Sequence, residues 1–240
     1  MADKKEEGKA AKTVSLQQIL RQQDASYGFL ARVLRKEVDD ELLAQMRKMK
    51  LPASTGNRWL DRGYRELVSF LNTSWERTRG ELAADFAHTF IGISTEIKNV
   101  AFPYESVYTS PEHLLMQDSR DEVLAEYRKA KVVLDEDIGE PEDHIAFELE
   151  FMQLIGERAA DALDAGEKLE CIDLLETRSD FTDEHLLNWV YNFNSDVHRI
   201  AQTKFYRAIA DILVGVIEID REILDEALGK KSPNVNSSRW

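Results

Sequence analysis

Residues 209–229 read IADILVGVIEIDREILDEALG. Apolar side chains at Ile209, Ile212, Val216, Ile219, Ile223 and Ala227 recur in steps of three or four. That spacing returns a side chain to one face of an α-helix of about 3.6 residues per turn, and Gly229 is a natural stop. The same period extends back through the chain. Ser15 with Gln18 three places on predicts a capping box opening a helix through Leu16, Leu20, Tyr27, Leu30 and Leu34. Trp59, Tyr64, Leu67, Phe70 and Leu71 predict another, and Leu82, Phe86 and Phe90 a helix over 81–91. Pro141 predicts the start of a helix carrying Ile145, Leu149, Met152, Ala159 and Leu163, closed by Gly166. Thr182 is the expected cap of a helix through Leu186, Val190 and Phe193 toward Ile200. Shorter helices are expected over 39–49, 111–129 and 169–177. With only five prolines and eleven glycines, the fold class is all-α. One multi-helix domain over 14–229 is expected, between a charged tail at 1–13 and a second tail at 230–240.

Composition narrows the function. Hydrophobic residues make up 43% of 240 positions, enough for a substantial core. The segment Ile209 to Ile219 contains Asp211 and Glu218 and is shorter than the roughly 20 apolar residues of a membrane span, so the chain is not expected to be membrane-embedded. The opening MADKKEEGKA lacks an apolar core and is not a secretory signal. A single cysteine, Cys171, allows no internal disulfide, which suits a cytoplasmic location. The formal charge of −14 repels phosphate backbones and makes nucleic acid an unsuitable partner. Eight acids and no lysine or arginine lie between Asp135 and Glu150, a local field suited to a cation.

No phosphate-binding glycine loop and no Gly-x-Ser-x-Gly elbow occurs. A helix-bundle carboxylate metalloenzyme is the alternative, using Asp85, His88, His144 and Glu148, since helical di-metal sites are built from Glu-x-x-His pairs. Asp85-x-x-His88 comes nearest to such a pair, and no second one matches. His88, His113, His185 and His198 are expected at the surface or half-buried.

Two stretches remain, FPYESVY at 102–108 and GEPEDHIAFELEFM at 139–152. The first sets Glu105 among Phe102, Tyr104 and Tyr108, next to Ser106. Aromatic faces attract guanidinium groups and a carboxylate accepts their N–H donors in pairs, though the same aromatics would also pin a long loop to the core. In the second, Glu142 and Asp143 would favourably meet the positive end of a helix starting at Pro141, and His144 follows them.

These stretches, with DFAHTFIG at 85–92, resemble the TorD/DmsD family of cytoplasmic chaperones that mature molybdenum-containing redox enzymes. The segments stand in the family's order over about residues 80–165, where Met116, Arg120 and Tyr127 also match. The resemblance implies an all-α protein without enzymatic activity. Its partners would be the twin-arginine signal peptide and the apo catalytic subunit of a molybdoenzyme of the dimethyl sulfoxide reductase type. It would aid cofactor insertion and hold back export, with no cofactor of its own assigned. Asp143 and His144 match the family's signal-peptide-binding pair, and Tyr104, Glu105 and Ser106 match its loop. The leader's arginines are expected on Glu105, Glu142 and Asp143, and its apolar run on Phe90, Phe102, Tyr104 and Tyr108. Asp143 and His144 are expected on the surface of a helix start. The chain departs from relatives at Tyr104, where some have tryptophan, and at Thr89, where leucine is frequent. The connection over 131–140 is long enough to act as a hinge, so a monomer or a domain-swapped dimer is expected.

Overall fold

The computed structural model describes residues 15–73, 77–92, 99–133 and 139–230. The tail expected at 1–13, the one expected at 230–240 apart from Lys230, and residues 134–138 of the hinge expected at 131–140 lie outside the described residues. Helix α1 (Leu16–Arg35) begins with the expected capping box of Ser15 and Gln18. It is followed by α2 (Asp40–Met46), capped by the Asp39 side chain on Leu42 N, and by α3 (Arg58–Thr73). Helix α4 (Thr78–Phe86) continues through a wider π-helical turn, Ala87–Ile91. The five-residue α5 (Glu105–Thr109) precedes α6 (Asp118–Lys129). Helix α7 (Ile145–Ala165) ends at left-handed Gly166, and α8 (Lys168–Phe181) runs into a second π-helical turn, Thr182–Leu186. Helices α9 (Val190–Ile200) and α10 (Lys204–Leu228) complete the order, and no strand occurs among the described residues.

Helix α10 forms the axis. It packs on α3, α8, α9 and α1, and its residues from Ala208 to Ile217 are all buried. The periodic stripe explains one face; the second face is made by Ala210, Leu213, Val214 and Ile217. Close approach of α3 depends on glycine: a Cβ on Gly63 would stand 2.9 Å from the Ala208 carbonyl oxygen, and one on Gly215 would stand 2.8 Å from the Leu60 amide nitrogen. Helix α7 lies between α1 and α8.

A buried charge cluster joins these layers. Arg178 on α8 is fully enclosed, donating to Asp24 of α1 at 2.6 Å and twice to Asp220 of α10 at 2.9 Å. The Tyr27 hydroxyl donates to the same Asp220 at 3.0 Å. Gly156 on α7 makes room for it, because a Cβ there would overlap both the guanidinium and Asp24.

Several boundaries move from their expected places, each for a local reason. The helix expected from Pro141 starts at Ile145, because residues 141–144 turn to pair with the segment before α5. Helix α6 starts at Asp118 rather than Pro111, since His113 and Met116 take left-handed backbone angles (φ 53° and 59°) that no continuous helix contains. Thr182 does not cap a new helix: its hydroxyl donates to the Arg178 carbonyl one turn back, carrying α8 onward. The helix expected over 39–49 stops at Met46, and the one expected over 169–177 extends through Phe181.

Candidate functional site

The short helix α5 is held by the chain that precedes α7. Tyr104 and His144 form an antiparallel bridge, with Glu105 N donating to the Asp143 carbonyl at 3.0 Å and Ile145 N to the Pro103 carbonyl at 2.8 Å. The Asp143 carboxylate then accepts from Ser106 N at 2.9 Å, so it caps α5 rather than the helix it precedes in sequence. His144 caps α7 itself, its Nδ1 accepting from Ala146 N at 3.0 Å. An imidazole that accepts at Nδ1 must be neutral there, and burial, assisted by nearby Arg35, pushes its pKa down to about 3. The Tyr104 ring meets His144 edge-on at 5.0 Å.

This geometry corrects the expected surface position of Asp143 and His144. Asp143 is 0% and His144 5% exposed, because both are consumed as helix caps at an internal joint. Glu142 is half-buried and engaged as well: Arg120 of α6 grips both its oxygens, holding the carboxyl below its usual range. Phe90 is a core residue among Phe86, Phe193 and Tyr206. His185, expected near the surface, is buried and its Nδ1 lies 3.0 Å from Glu105.

Glu105 thus has two partners that no sequence spacing announced. His185 is one, and Asn188 Nδ2, donating at 2.7 Å, is the other. Burial pushes the Glu105 carboxyl up, with both hydrogen bonds opposing. Burial alone would push the His185 imidazole down, but its bond to Glu105 reverses the direction, so the pair favours a charged histidine beside a carboxylate. Behind Glu105 lies Glu148, fully buried on the first turn of α7. The residues 80 positions apart that meet here carry no local signal of their pairing.

Helix α5 separates two clefts. On one side, Phe102, Val107, Tyr108, His113, Asn192 and Arg199 line an opening of about 760 Å³, floored where Tyr108 stacks on buried Trp189 at 5.3 Å. On the other side, a smaller cleft of about 260 Å³ is lined by Glu105, Glu112, Asp118 and Glu122 together with Asn188 and Thr109. Its lining includes no lysine or arginine. The turn between α5 and α6 borders both and exposes Leu114, Leu115 and Met116 in succession. One cleft therefore offers aromatic and apolar surface, the other carboxylates.

The four residues of a carboxylate metal site are not brought together. The Asp85 carboxylate accepts from Gln202 N, Thr203 N and Thr89, tying α4 to the start of α10. Among the described residues, no group of three or more His, Cys, Asp or Glu side chains is placed to hold a metal ion.

Comparison with known proteins agrees with this architecture. Residues 57–195 match the family model described as nitrate reductase delta subunit. The chain is 29% identical over 204 residues to the chaperone protein TorD of Vibrio atlanticus, covering 82% of this chain and 92% of that one. TorD of Photobacterium profundum is 30% identical over 161 residues, 67% of this chain and 71% of the relative. TorD of a Vibrio cholerae serotype O1 strain is 28% identical over 209 residues, covering 84% and 91%. With the family model spanning more than half its length and the loop and joint motifs in their expected order, the chain belongs to the nitrate reductase delta subunit family, in the TorD/DmsD group that its sequence resembles.

Proposed function

We propose that this protein is a maturation chaperone for a molybdenum-containing oxidoreductase, and that it binds the twin-arginine signal peptide of the apo precursor across α5. Such a leader has two chemistries in sequence, a pair of guanidinium groups and then an apolar run. What carries the proposal is the placement of α5 between a carboxylate cleft and an aromatic one. The apolar run lies on Phe102 and Tyr108, while an arginine enters the cleft lined by Glu105. Asn188 is exposed, so its amide is the donor that a guanidinium displaces from Glu105. Charge speeds and orients the encounter, and apolar contact supplies most of the affinity.

Ser106, Asp143 and His144 act in this account from below: they fix α5 and do not touch the leader. Glu142, held by Arg120, takes no direct part. The precursor's leader would be covered until its cofactor is inserted, in the cytoplasm, with no chemical step performed by the chaperone.

The test is calorimetric titration with a synthetic leader against one whose two arginines are glutamine. Binding of the first, weakened by added salt, and at least tenfold weaker binding of the second are expected. Equal affinity for both peptides would show that the carboxylates are not the arginine site. Affinity capture from native cells should recover the precursor and not the mature enzyme.

A further inference from the structure

Neither carboxyl oxygen of Glu148 makes a hydrogen bond of full geometry among the described residues, although its side chain is completely enclosed. Other buried polar atoms of the same joint are also unmatched: Asp143 Oδ1 and Ser106 Oγ at the α5 cap, and Trp189 Nε1 beside Glu148. Leaving buried polar groups unpaired costs about 1–3 kcal/mol each, so an enclosed carboxyl of this kind implies an interaction that a hydrogen position would supply.

The surroundings decide what that interaction is. Helix α5 contributes Glu105, the turn before α7 contributes Asp143, and the π-helical turn after α8 contributes His185. Tyr127 of α6 and the Trp189 indole complete the polar neighbours. Arg120 influences Asp143 only from beyond Glu142, and Glu122 and Glu184 act on His185 from outside. No lysine or arginine forms an ion pair with Glu105, Asp143 or Glu148 among the described residues. Glu105 and Glu148 nevertheless lie within hydrogen-bonding reach of one another. Two facing carboxylates without a cation between them cannot both stay ionised in a low-dielectric interior, so one proton must be held by the pair.

Hydrogen bonding assigns that proton. Glu105 already accepts from His185 and Asn188, and Asp143 already accepts from Ser106 N, whereas Glu148 has only the Trp189 indole to draw on, at a geometry short of a full hydrogen bond. We infer that Glu148 is a neutral carboxylic acid whose O–H donates to the Glu105 carboxylate, making Glu148 the positioning residue that fixes this acceptor at the floor of the cleft. Burial, with Glu105 and Asp143 adding to it, pushes the Glu148 carboxyl well above the usual carboxylate range, consistent with this state. The role deepens the proposed leader site and rests on it only for its effect on binding; the protonation state stands apart.

Two measurements test it separately. The first compares melting temperatures of wild type and Glu148→Gln between pH 5 and pH 8. An acid kept neutral in the fold but ionised in the unfolded chain costs stability as pH rises above its unfolded value, and glutamine escapes that cost. The advantage of E148Q should therefore grow with pH; a difference that stays flat would mean Glu148 is ionised and would overturn the inference. The second titrates a synthetic peptide carrying two arginines before an apolar run. E148Q, which keeps an N–H donor to Glu105, should bind within about threefold of wild type. Glu148→Leu, similar in size but without a donor, should bind at least tenfold more weakly. Equal binding by E148L and E148Q would reduce Glu148 to packing and refute its positioning role. Failure of wild type itself to bind would reject the leader site, while the melting series would still judge the proton.

Discussion

Two buried charge clusters sit within this bundle and are built in opposite ways. Around Arg178, one guanidinium faces two carboxylates, with the Tyr27 hydroxyl and a ring face at 5.1 Å completing the set. Around Glu105, three carboxyls meet one histidine, with no guanidinium or ammonium paired to them among the described residues. The first cluster joins α1, α8 and α10 and holds layers together. The second joins α5 to α7, opens onto a carboxylate-lined cleft, and leaves polar atoms unmatched. Under the proposed function, the acid-lined edge of this second cluster is where the leader's guanidinium arrives.

The contrast can be broken by substitution. The largest effect should come from Arg178→Ala, which strands two buried carboxylates: a loss of about 3–5 kcal/mol in urea unfolding is expected. A loss below about 1 kcal/mol would remove the clamp role. Next is acid sensitivity from His144. Its folded pKa of about 3 lies below the ordinary imidazole value, so its contribution is full above about pH 6.5 and declines as pH falls toward 3. His144→Asn keeps a capping oxygen but cannot be protonated, and its stability relative to wild type should rise by on the order of 3 kcal/mol between pH 6.5 and pH 4. A parallel pH profile for the two proteins would place a charged imidazole in the fold.

Smaller again is Asp143→Ala, expected to cost about 1–2 kcal/mol through the lost cap of α5. Hydrogen exchange should then quicken at residues 105–109 and not in α10. Unchanged exchange in α5 would mean that Asp143 does not hold it. The smallest effect belongs to Glu142→Ala, since partly exposed ion pairs contribute about 1 kcal/mol or less. A larger loss in thermal melts would make the Arg120 pair part of the joint and not its rim.

Much of the fold was legible because helical periodicity is a local signal. The helix through Ile209 and Ala227, the Ser15 capping box and the Gly166 and Gly229 stops all appear where spacing put them, though the buried stripe holds only as far as Val216. The start of α7 did not, for a physical reason. Pro141-Glu-Asp reads as an ideal helix entry in isolation, but its backbone and the Asp143 carboxylate are used across the chain by α5. Long-range partners have no periodicity to betray them, and His185 and Asn188 were invisible for the same reason. Family resemblance singled out Glu105, Asp143 and His144, and the proposed function redistributes their roles from a surface row of acids to one cleft-facing carboxylate on buried supports.

That redistribution is tested most directly by titrating a synthetic twin-arginine leader against Glu105→Gln and Glu142→Gln, with melting curves confirming that both variants fold. Loss of a charge-assisted bond at Glu105 should weaken binding by about tenfold or more, whereas E142Q should stay within about twofold of wild type. Undiminished binding by E105Q together with a marked loss in E142Q would contradict the account and return the arginine site to the outer edge of the joint.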